Sequence, residues 1–334
     1  MRCFFAPIAC LFAFFSYLRW LLYRVGIKRH KSLDAPVISV GNLAMGGTGK
    51  TPFTIWLADK LQSLGYSPVI LTRGYGRTHK ERMILIGDTT TARIAGDEPA
   101  LIAQKLPDTP IVVHPNRFES AREIGNEKGR IFILDDGFQH IQLARDVDIL
   151  LLPSEDPFSG EHFFPWGNLR DGLWRLKEAS AIILMGETEK IPPELASLSC
   201  SVQTFSGKKI FAGIRTLVGK NVSPNILKNQ NILLFAGLGA PSSFYSTIVE
   251  TGANIRGTYW FKDHHIYTAK DISAIEHRAE EYDADLLVTT EKDAIRLTGM
   301  SSRLEIYVVD IELTITREAD LIDLITSKLN IKKG

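Results

Sequence analysis

The chain has 334 residues, 45% hydrophobic and 23% charged, enough to bury a sizeable core in two domains of ordinary size, with no internal repeat or low-complexity tract. Net charge is only +1, but six Lys or Arg and no acid precede Asp34, so a basic N-terminal end stands apart from a net acidic remainder. No basic stripe interleaved with aromatics follows residue 31, which excludes nucleic acid as a partner, and Cys3, Cys10 and Cys200 lack disulfide or zinc-ligand spacing and suit a reducing compartment.

The chain opens with Cys3 to Leu18, apolar apart from Ser16. Arg19 interrupts before Trp20-Leu21-Leu22-Tyr23, and Arg24, Lys28, Arg29 and Lys31 follow. The run is short for a bilayer span of roughly 20 residues. No small-x-small cleavage site follows to make it a signal peptide. The pattern predicts an interfacial helix within 1–31, with Phe and Leu in the acyl boundary, Trp20 and Tyr23 at head-group depth and the basic residues on anionic phosphates. A helix buried against the domain and a single short span are the alternatives.

The apolar Pro36 to Val40 predicts a buried strand, and Phe53 to Leu61 has helical spacing. Between them lies Ala44-Met45-Gly46-Gly47-Thr48-Gly49-Lys50-Thr51, a phosphate-binding loop in the strand-to-helix context that such a loop requires. Met45 to Thr51 would cradle phosphates with backbone N–H groups at the positive end of the new helix. Lys50 would meet the β and γ phosphates of ATP and the Thr51 hydroxyl would ligate Mg²⁺. Ala44 stands where Gly is usual, which is tolerable if that position needs no positive φ.

Ser67 to Leu71 predicts a second strand, ending in Thr72-Arg73-Gly74-Tyr75-Gly76-Arg77, where two arginines are placed to hold phosphate groups. Met83 to Ile86 predicts a short strand, and Gly96-Asp97-Glu98-Pro99 opens a helical run through Leu106. Pro110 to Val113 is another strand, followed by Asn116-Arg117 and a helix through Ile124. Arg130 to Leu134 is an apolar strand ending in Asp135-Asp136-Gly137-Phe138-Gln139-His140, the arrangement by which P-loop enzymes bring a carboxylate to the metal. Val147 to Leu152 and Ala181 to Met185 extend the sheet, with the Pro- and Gly-rich Phe164 to Arg170 between them as a loop suited to closing over a ligand.

From about Ser199 to Thr216 the pattern is extended, and the domain linker is expected there. A second, smaller α/β unit then starts at Ile232 to Phe235, passes a Gly237-to-Pro241 turn and continues through Leu286 to Thr289. In it, Phe261-Lys262-Asp263-His264-His265 and Thr289-Thr290-Glu291-Lys292-Asp293 are candidates for chemistry, although His265 reads as structural and Glu291-Lys292-Asp293 as the solvated start of a helix. The expected fold is α/β: a membrane-associated helix in 1–31, a mostly parallel P-loop NTPase-like domain over 32–205, and a smaller α/β domain over 206–334.

Taken together these motifs resemble the lipid A 4′-kinase (tetraacyldisaccharide 4′-kinase) family over nearly the whole chain. The residues that carry the resemblance are the apolar, basic N-terminus, Gly41-Asn42 through Pro52, Arg73 to Arg77, Gly96 to Pro99, Asp135 to His140, Asp263-His264 and Thr290 to Asp293. The resemblance implies transfer of the γ-phosphate of ATP to the 4′-hydroxyl of a tetraacylated glucosamine disaccharide 1-phosphate at the cytoplasmic face of a bacterial inner membrane, with two α/β domains closing on the nucleotide. It implies Asp97 as base, oriented by His264; Glu98, Asp135 and Asp136 with Thr51 as the Mg²⁺ shell; and Arg73, Arg117, Gln139, His140 and Arg170 on the disaccharide phosphate and sugar. Pro165 to Arg170 matches a Pro-x-Gly-x-Leu-Arg loop, but Asp171-Gly172 stands where an acid and a proline often follow. A partitioning-type ATPase would carry a lysine where Met45 stands, and a GTPase would need a guanine-reading motif that Glu291-Lys292-Asp293 does not supply. A soluble small-molecule kinase remains the nearer competitor, disfavoured by the lipid-like N-terminus. Oligomeric state is not legible.

Overall fold

The computed structural model describes residues 5–79, 81–85, 87, 92–187, 191–197, 202–239 and 241–330, apart from the side chains of Ala92, Arg93 and Asn330. Cys3, Phe4, Ile86, Ser199, Cys200 and Ala240, which belong to stretches read above, lie outside the described residues.

The strands are β1 (Val37–Gly41), β2 (Ser67–Thr72), β3 (Met83–Leu85), β4 (Ile111–Val113), β5 (Arg130–Asp135), β6 (Val147–Pro153), β7 (Ala181–Met185), β8 (Gln203–Thr216), β9 (Asn221–Val222), β10 (Asn231–Gly237), β11 (Asn254–Phe261), β12 (Leu286–Thr290) and β13 (Ile306–Ile315). The helices are α1 (Ala6–Arg24), α2 (Lys50–Ser63), α3 (Ala92–Ala95), α4 (Asp97–Lys105), α5 (Arg117–Ile124), α6 (Pro193–Ala196), α7 (Ser242–Val249), α8 (Ala269–Glu281), α9 (Glu291–Arg296) and α10 (Glu318–Asn330). The strands form one sheet in the order β11-β10-β12-β13-β8-β7-β6-β1-β5-β2-β4-β3, with β9 attached to β8. Each apolar run predicted as a strand lies in it. The sequence reading singles out neither β11 nor β13 nor α10.

Both faces of the first half, β1 to β7, are covered, which is why its strands read as continuous apolar runs rather than as alternation. Ile38, Val40, Ile133 and Ile149 pack with Phe53, Leu57 and Leu61 of α2 on one face. Val37, Val69, Leu71 and Phe132 pack with Ala121 of α5 on the other. In the second half, Leu234 and Val288 meet Phe244 and Ile248 of α7, while Leu233 and Phe235 meet Ile272 and Ile275 of α8.

Strand β8 decides how the halves are joined. Its first residues pair parallel with β7, Ala181 to Met185 lying against Gln203 to Gly207. From Gly207 to Thr216 it pairs antiparallel with β13, whose last residue Ile315 stands opposite Gly207. Strands β10 to β13 are parallel to one another. The C-terminal ends of both parallel sets therefore run toward the middle of β8 and face each other. The expected domain boundary after residue 205 falls inside this shared strand. Moreover, α10 returns to the first half, burying Leu321, Ile325 and Leu329 in the core beneath α2.

Helix α1 buries only Ala9 and Ser16 and leaves Ile8, Leu11, Phe14, Phe15 and Leu18 exposed. Among the described residues it is the helix long and apolar enough, by length and composition, to cross a membrane. One side of it docks on the 163–178 segment. The Ser16 hydroxyl donates to Asp171 Oδ1 at 3.1 Å, the Trp20 indole donates to Glu178, and Tyr17 meets Trp174 edge to face at 5.3 Å.

The approach of β1 to the turn after β5 is close. A Cβ on Gly41 would stand 2.5 Å from Phe138 Cβ and 2.8 Å from its backbone N, and neither atom can swing away. Gly41→Ala is expected to lower stability by about 1–3 kcal/mol through overpacking. A urea denaturation midpoint equal to that of the unsubstituted protein would refute this packing.

Candidate active site

The phosphate loop follows β1 directly. Gly49 has φ +83°, a left-handed conformation that favours glycine, and it turns the chain into α2 at Lys50. The Thr48 hydroxyl accepts from Asn42 Nδ2 at 3.0 Å, and the Met45 amide donates to the Asn168 carbonyl at 2.8 Å, so the loop is tied to the 164–170 segment. Ala44 makes a bridge with Leu169 of that segment.

At the end of β5, Asp135 and Asp136 turn different ways. Asp135 is buried, with its oxygens accepting from the Thr54 hydroxyl of α2 at 3.4 Å and the Thr72 hydroxyl of β2 at 3.1 Å. Burial and the nearby charges of Glu98 and Asp136 push its carboxyl up to about 6, against the pull of Arg117 and Lys50. Asp136, at φ +49°, takes a two-pronged hydrogen bond from Arg170, at 3.0 and 2.8 Å, and lies 3.7 Å from Lys50 Nζ. Burial alone would raise it, but the Arg170 hydrogen bonds and the charges of Lys50, Arg170 and Arg117 hold it below the usual carboxylate range. Among the described residues no three His, Cys, Asp or Glu side chains gather at metal-ligating spacing.

The residues expected on the sugar and its phosphate surround this turn. Arg117 is fully buried and donates to the backbone carbonyls of Asp135 at 2.6 Å and Asp136 at 3.2 Å, so it also fixes the turn from behind. Burial and the like charge of Arg73 pull it down to about 10. Gln139 donates to the Asn42 carbonyl at 2.8 Å and leaves its own Oε1 buried without a partner. His140 is driven down to about 3 by burial and by Arg117 and Arg73, which keeps it neutral. Arg73 itself is exposed, near enough for its charge to be felt at Arg117 and His140.

From the other half, the loop after β11 brings His264 to Asp97. Its Nδ1 lies 2.9 Å from Asp97 Oδ2. Asp97 opens α4 just after Gly96, whose φ of +96° lets the backbone pass under the Tyr75 carbonyl, and Tyr75 in turn packs on the His264 ring at 5.2 Å. The pair expected from the sequence is thus in hydrogen-bond contact across the two halves.

Three further residues complete this contact: Arg296, which no sequence pattern marks, and Lys292 and Asp293 of the candidate cluster that ends at Asp293. Arg296 pairs with Asp97 Oδ2 beside His264. Lys292 donates to Glu98 Oε1 at 2.6 Å. Behind both, Asp293 is fully buried: its oxygens accept from the Gly237 amide at 2.9 Å, the Tyr267 hydroxyl at 2.9 Å and the Thr290 hydroxyl at 2.6 Å, and it pairs with Arg296 at 3.2 Å. The reading of Glu291-Lys292-Asp293 as a solvated helix start is therefore overturned, because each of the three makes a buried or cross-half contact. A signal for it existed: Thr290 and Asp293 have the spacing of a capping pair. His265 is structural as expected, stacked on Phe261 at 4.4 Å.

Burial would raise Asp97, but the His264 hydrogen bond and the charges of Arg296 and Lys292 hold it below the usual carboxylate range. Its Oδ2 is occupied, while Oδ1 accepts the Glu98 amide at 3.1 Å and retains capacity for one more donor.

With this geometry in view, comparison with known proteins gives a consistent result. The family model described as tetraacyldisaccharide-1-P 4′-kinase matches residues 1–330. The tetraacyldisaccharide 4′-kinase of Chlamydia pneumoniae is 36% identical over 291 residues, covering 85% of this chain and 80% of that protein. The one from Desulfatibacillum aliphaticivorans is 34% identical over 327 residues, covering 94% and 89%. The crystal structure of the "apo" form of LpxK from Aquifex aeolicus in complex with ATP superposes with a TM-score of 0.79 at 30% identity, covering 98% of this chain and 99% of that one.

The Asp97 hydrogen bond raises His264 above its ordinary 6.5, outweighing the burial that would lower it. This contribution to stability is complete below pH 6.5 and is lost as pH rises through the elevated value. Titrating the His264 ring by NMR should give a midpoint above 6.5, and Asp97→Asn should bring it to or below that value. An unchanged midpoint in Asp97→Asn would remove the pair from the electrostatics of the site.

Proposed function

The chain belongs to the tetraacyldisaccharide-1-P 4′-kinase family, and on that premise we propose how its residues carry the reaction. It is a kinase of lipid A biosynthesis that phosphorylates the 4′-hydroxyl of a tetraacylated glucosamine disaccharide 1-phosphate at the expense of ATP. In the proposed arrangement Met45 to Thr51 hold the phosphates of ATP, with Lys50 on the β and γ groups. Thr51, Glu98, Asp135 and Asp136 would hold Mg²⁺. The donor set fits such an ion in its chemistry, since all four offer hard oxygens and the mutual repulsion felt at Asp135 is what a divalent cation relieves, and holding it would require the three carboxylates to draw together from the spacing described above. When bound, the ion neutralises charge building up on the transferred phosphoryl group.

The observation that carries the reading is the Asp97–His264 contact across the two C-terminal edges. Asp97 would accept the proton of the attacking 4′-hydroxyl as the oxygen–phosphorus bond forms and the bond to the β-phosphate oxygen breaks, releasing ADP. A carboxylate kept ionised in this way suits a loose transition state, in which orienting the hydroxyl matters more than early deprotonation. His264 and Arg296 would aim it. Gln139, His140, Arg73, Arg117 and Arg170 would bind the disaccharide and its phosphate. Gln139 brings a buried acceptor that still lacks a donor, and Arg117 and Arg170 also fix the aspartate pair. We propose that residues 32–205 and 206–334 act as two units that close on the nucleotide about β8.

The exposed apolar side of α1, followed by Arg24, Lys28, Arg29 and Lys31, favours a place on an anionic membrane surface at the cytoplasmic face, where the lipid acceptor lies. Deleting residues 1–24 should free the protein into the soluble fraction and raise KM for the lipid in mixed micelles while KM for ATP stays put. Sedimentation of the truncated protein with membranes at high salt would overturn the anchor.

For the dyad, Asp97→Ala and His264→Ala should each cut kcat by on the order of 10²–10⁴ in folded protein. The double variant should fall far short of the product of the two losses. Multiplicative losses would leave two independent residues and end the dyad reading.

A further inference from the structure

The shared strand brings one more cation to the phosphate loop. Lys209 of β8 stands opposite Leu313 in the antiparallel register, so the two side chains share a face, and Leu313 packs in the core with Phe53 and Leu57 of α2. The lysine stem thus runs toward the first turn of that helix. A Cβ on Gly49, the residue immediately before α2, would lie 3.7 Å from Lys209 Cε and 3.0 Å from Met185 Cε.

Among the half-buried lysines of the described residues, its amine alone has no counterpart. Among the described residues Lys60 pairs with Glu318 at 2.7 Å, Lys105 with Glu291, Lys292 with Glu98 at 2.6 Å, and Lys50 lies 3.7 Å from Asp136. Lys209, half-buried, has no carboxylate, carbonyl or hydroxyl partner among them. Burial, together with the neighbouring charge of Lys292, pulls it below the ordinary lysine value. The N-terminus of α2, with its own partial positive charge, is the third positive feature at the same place. Such crowding of like charge is costly in a partly buried site unless an anion enters. The polyanion that the adjacent loop is shaped to hold is a nucleotide di- or triphosphate.

We propose that Lys209 is a phosphate-binding residue of the nucleotide site, supplied by the strand common to both halves rather than by the phosphate loop. The inference rests on the nucleotide-site reading of residues 45–51. It gives β8 a role beyond joining the sheet. A lysine reaching the loop from the far side of β7 makes phosphate binding depend on the position of the second half, and phosphate binding in turn draws that half in.

The test compares the full-length protein with Lys209→Met, which keeps the apolar stem, and Lys209→Arg, which keeps the charge. Calorimetric titration with ATP and with ADP, and steady-state kinetics in mixed micelles, are measured alongside the melting temperature. Lys209→Met is expected to weaken ATP and ADP about tenfold or more, the loss of one charge-assisted hydrogen bond. KM for the lipid and the melting temperature should hold, and Lys209→Arg should recover most of the nucleotide affinity. Unchanged ATP affinity in Lys209→Met would overturn the proposal. So would a parallel loss of ATP affinity, lipid KM and melting temperature, which would mark a packing role. Failure of the unsubstituted protein to bind ATP would instead bring down the nucleotide-site reading itself.

Discussion

The structure depends on one reversal of strand direction. A purely parallel sheet sends all its C-terminal ends to one edge, and a ligand then lies in the crevice outside that edge. Here β8 lies parallel to β7 and antiparallel to β13, and the strands on either side end at its middle. Two such edges therefore confront each other. Loops that in a single sheet would face solvent instead face loops of the other half, and Asp97 meets His264 although 167 positions separate them.

Once the edges face, charge determines how they fit. Ionic pairs link the facing edges: Asp97 with His264 and Arg296, Glu98 with Lys292, and Lys105 with Glu291. Partly buried pairs of this kind add little net stability, because desolvation offsets their attraction, but removing one partner is expensive. They serve better as register than as glue. Asp293 shows how that register is kept: a fully buried carboxylate, bonded to the Gly237 amide and the Tyr267 and Thr290 hydroxyls, holds the guanidinium of Arg296 that in turn holds Asp97. Asp97 and Glu98 of the first half are thus matched by Arg296 and Lys292 of the second, and Lys105 of the first by Glu291 of the second. Burial and the charges of Glu98 and Asp136 still leave Asp135 raised to about 6, against the pull of Arg117 and Lys50.

What could be read from the sequence was what is written locally. The phosphate loop needs only its glycines, Lys50, Thr51 and their flanking strand and helix, all between Val37 and Ser63. The aspartates ending β5 and the apolar strands buried on both faces are similarly self-contained. What could not be read needs partners far along the chain. Arg296 is an ordinary basic residue near the end of a short helix until the Asp97 carboxylate is set against it. Lys209 is one half of a Lys-Lys pair in an extended stretch until β8 is seen to pass the start of α2. The linker expected near residues 199–216 illustrates the same limit: an extended pattern is common to a connector and to a strand, and only pairing distinguishes them. The Asp171-Gly172 departure also becomes intelligible in three dimensions. Asp171 accepts from Ser16 of α1 and pairs with the buried Arg175, and a Cβ on Gly172 would fall 2.0 Å from the Trp174 ring.

That last cluster joins the two ends of the functional problem. Ser16 and Trp20 of α1 are bonded to Asp171 and Glu178, and Arg175 bridges those two acids while covering the Phe138 ring at 4.1 Å. Asp171 is the neighbour of Arg170, and Arg170 grips Asp136 beside Lys50. Phe138 is three positions beyond Asp135 and presses on Gly41 where β1 enters the phosphate loop. A helix whose outer side is apolar is therefore tied, through Asp171, Arg175 and Arg170, to the carboxylate nearest Lys50. Buried charged pairs have few alternative arrangements, so they transmit position rather than absorb it. The segment that seats α1 is thus the same one that carries the Arg170 grip on Asp136.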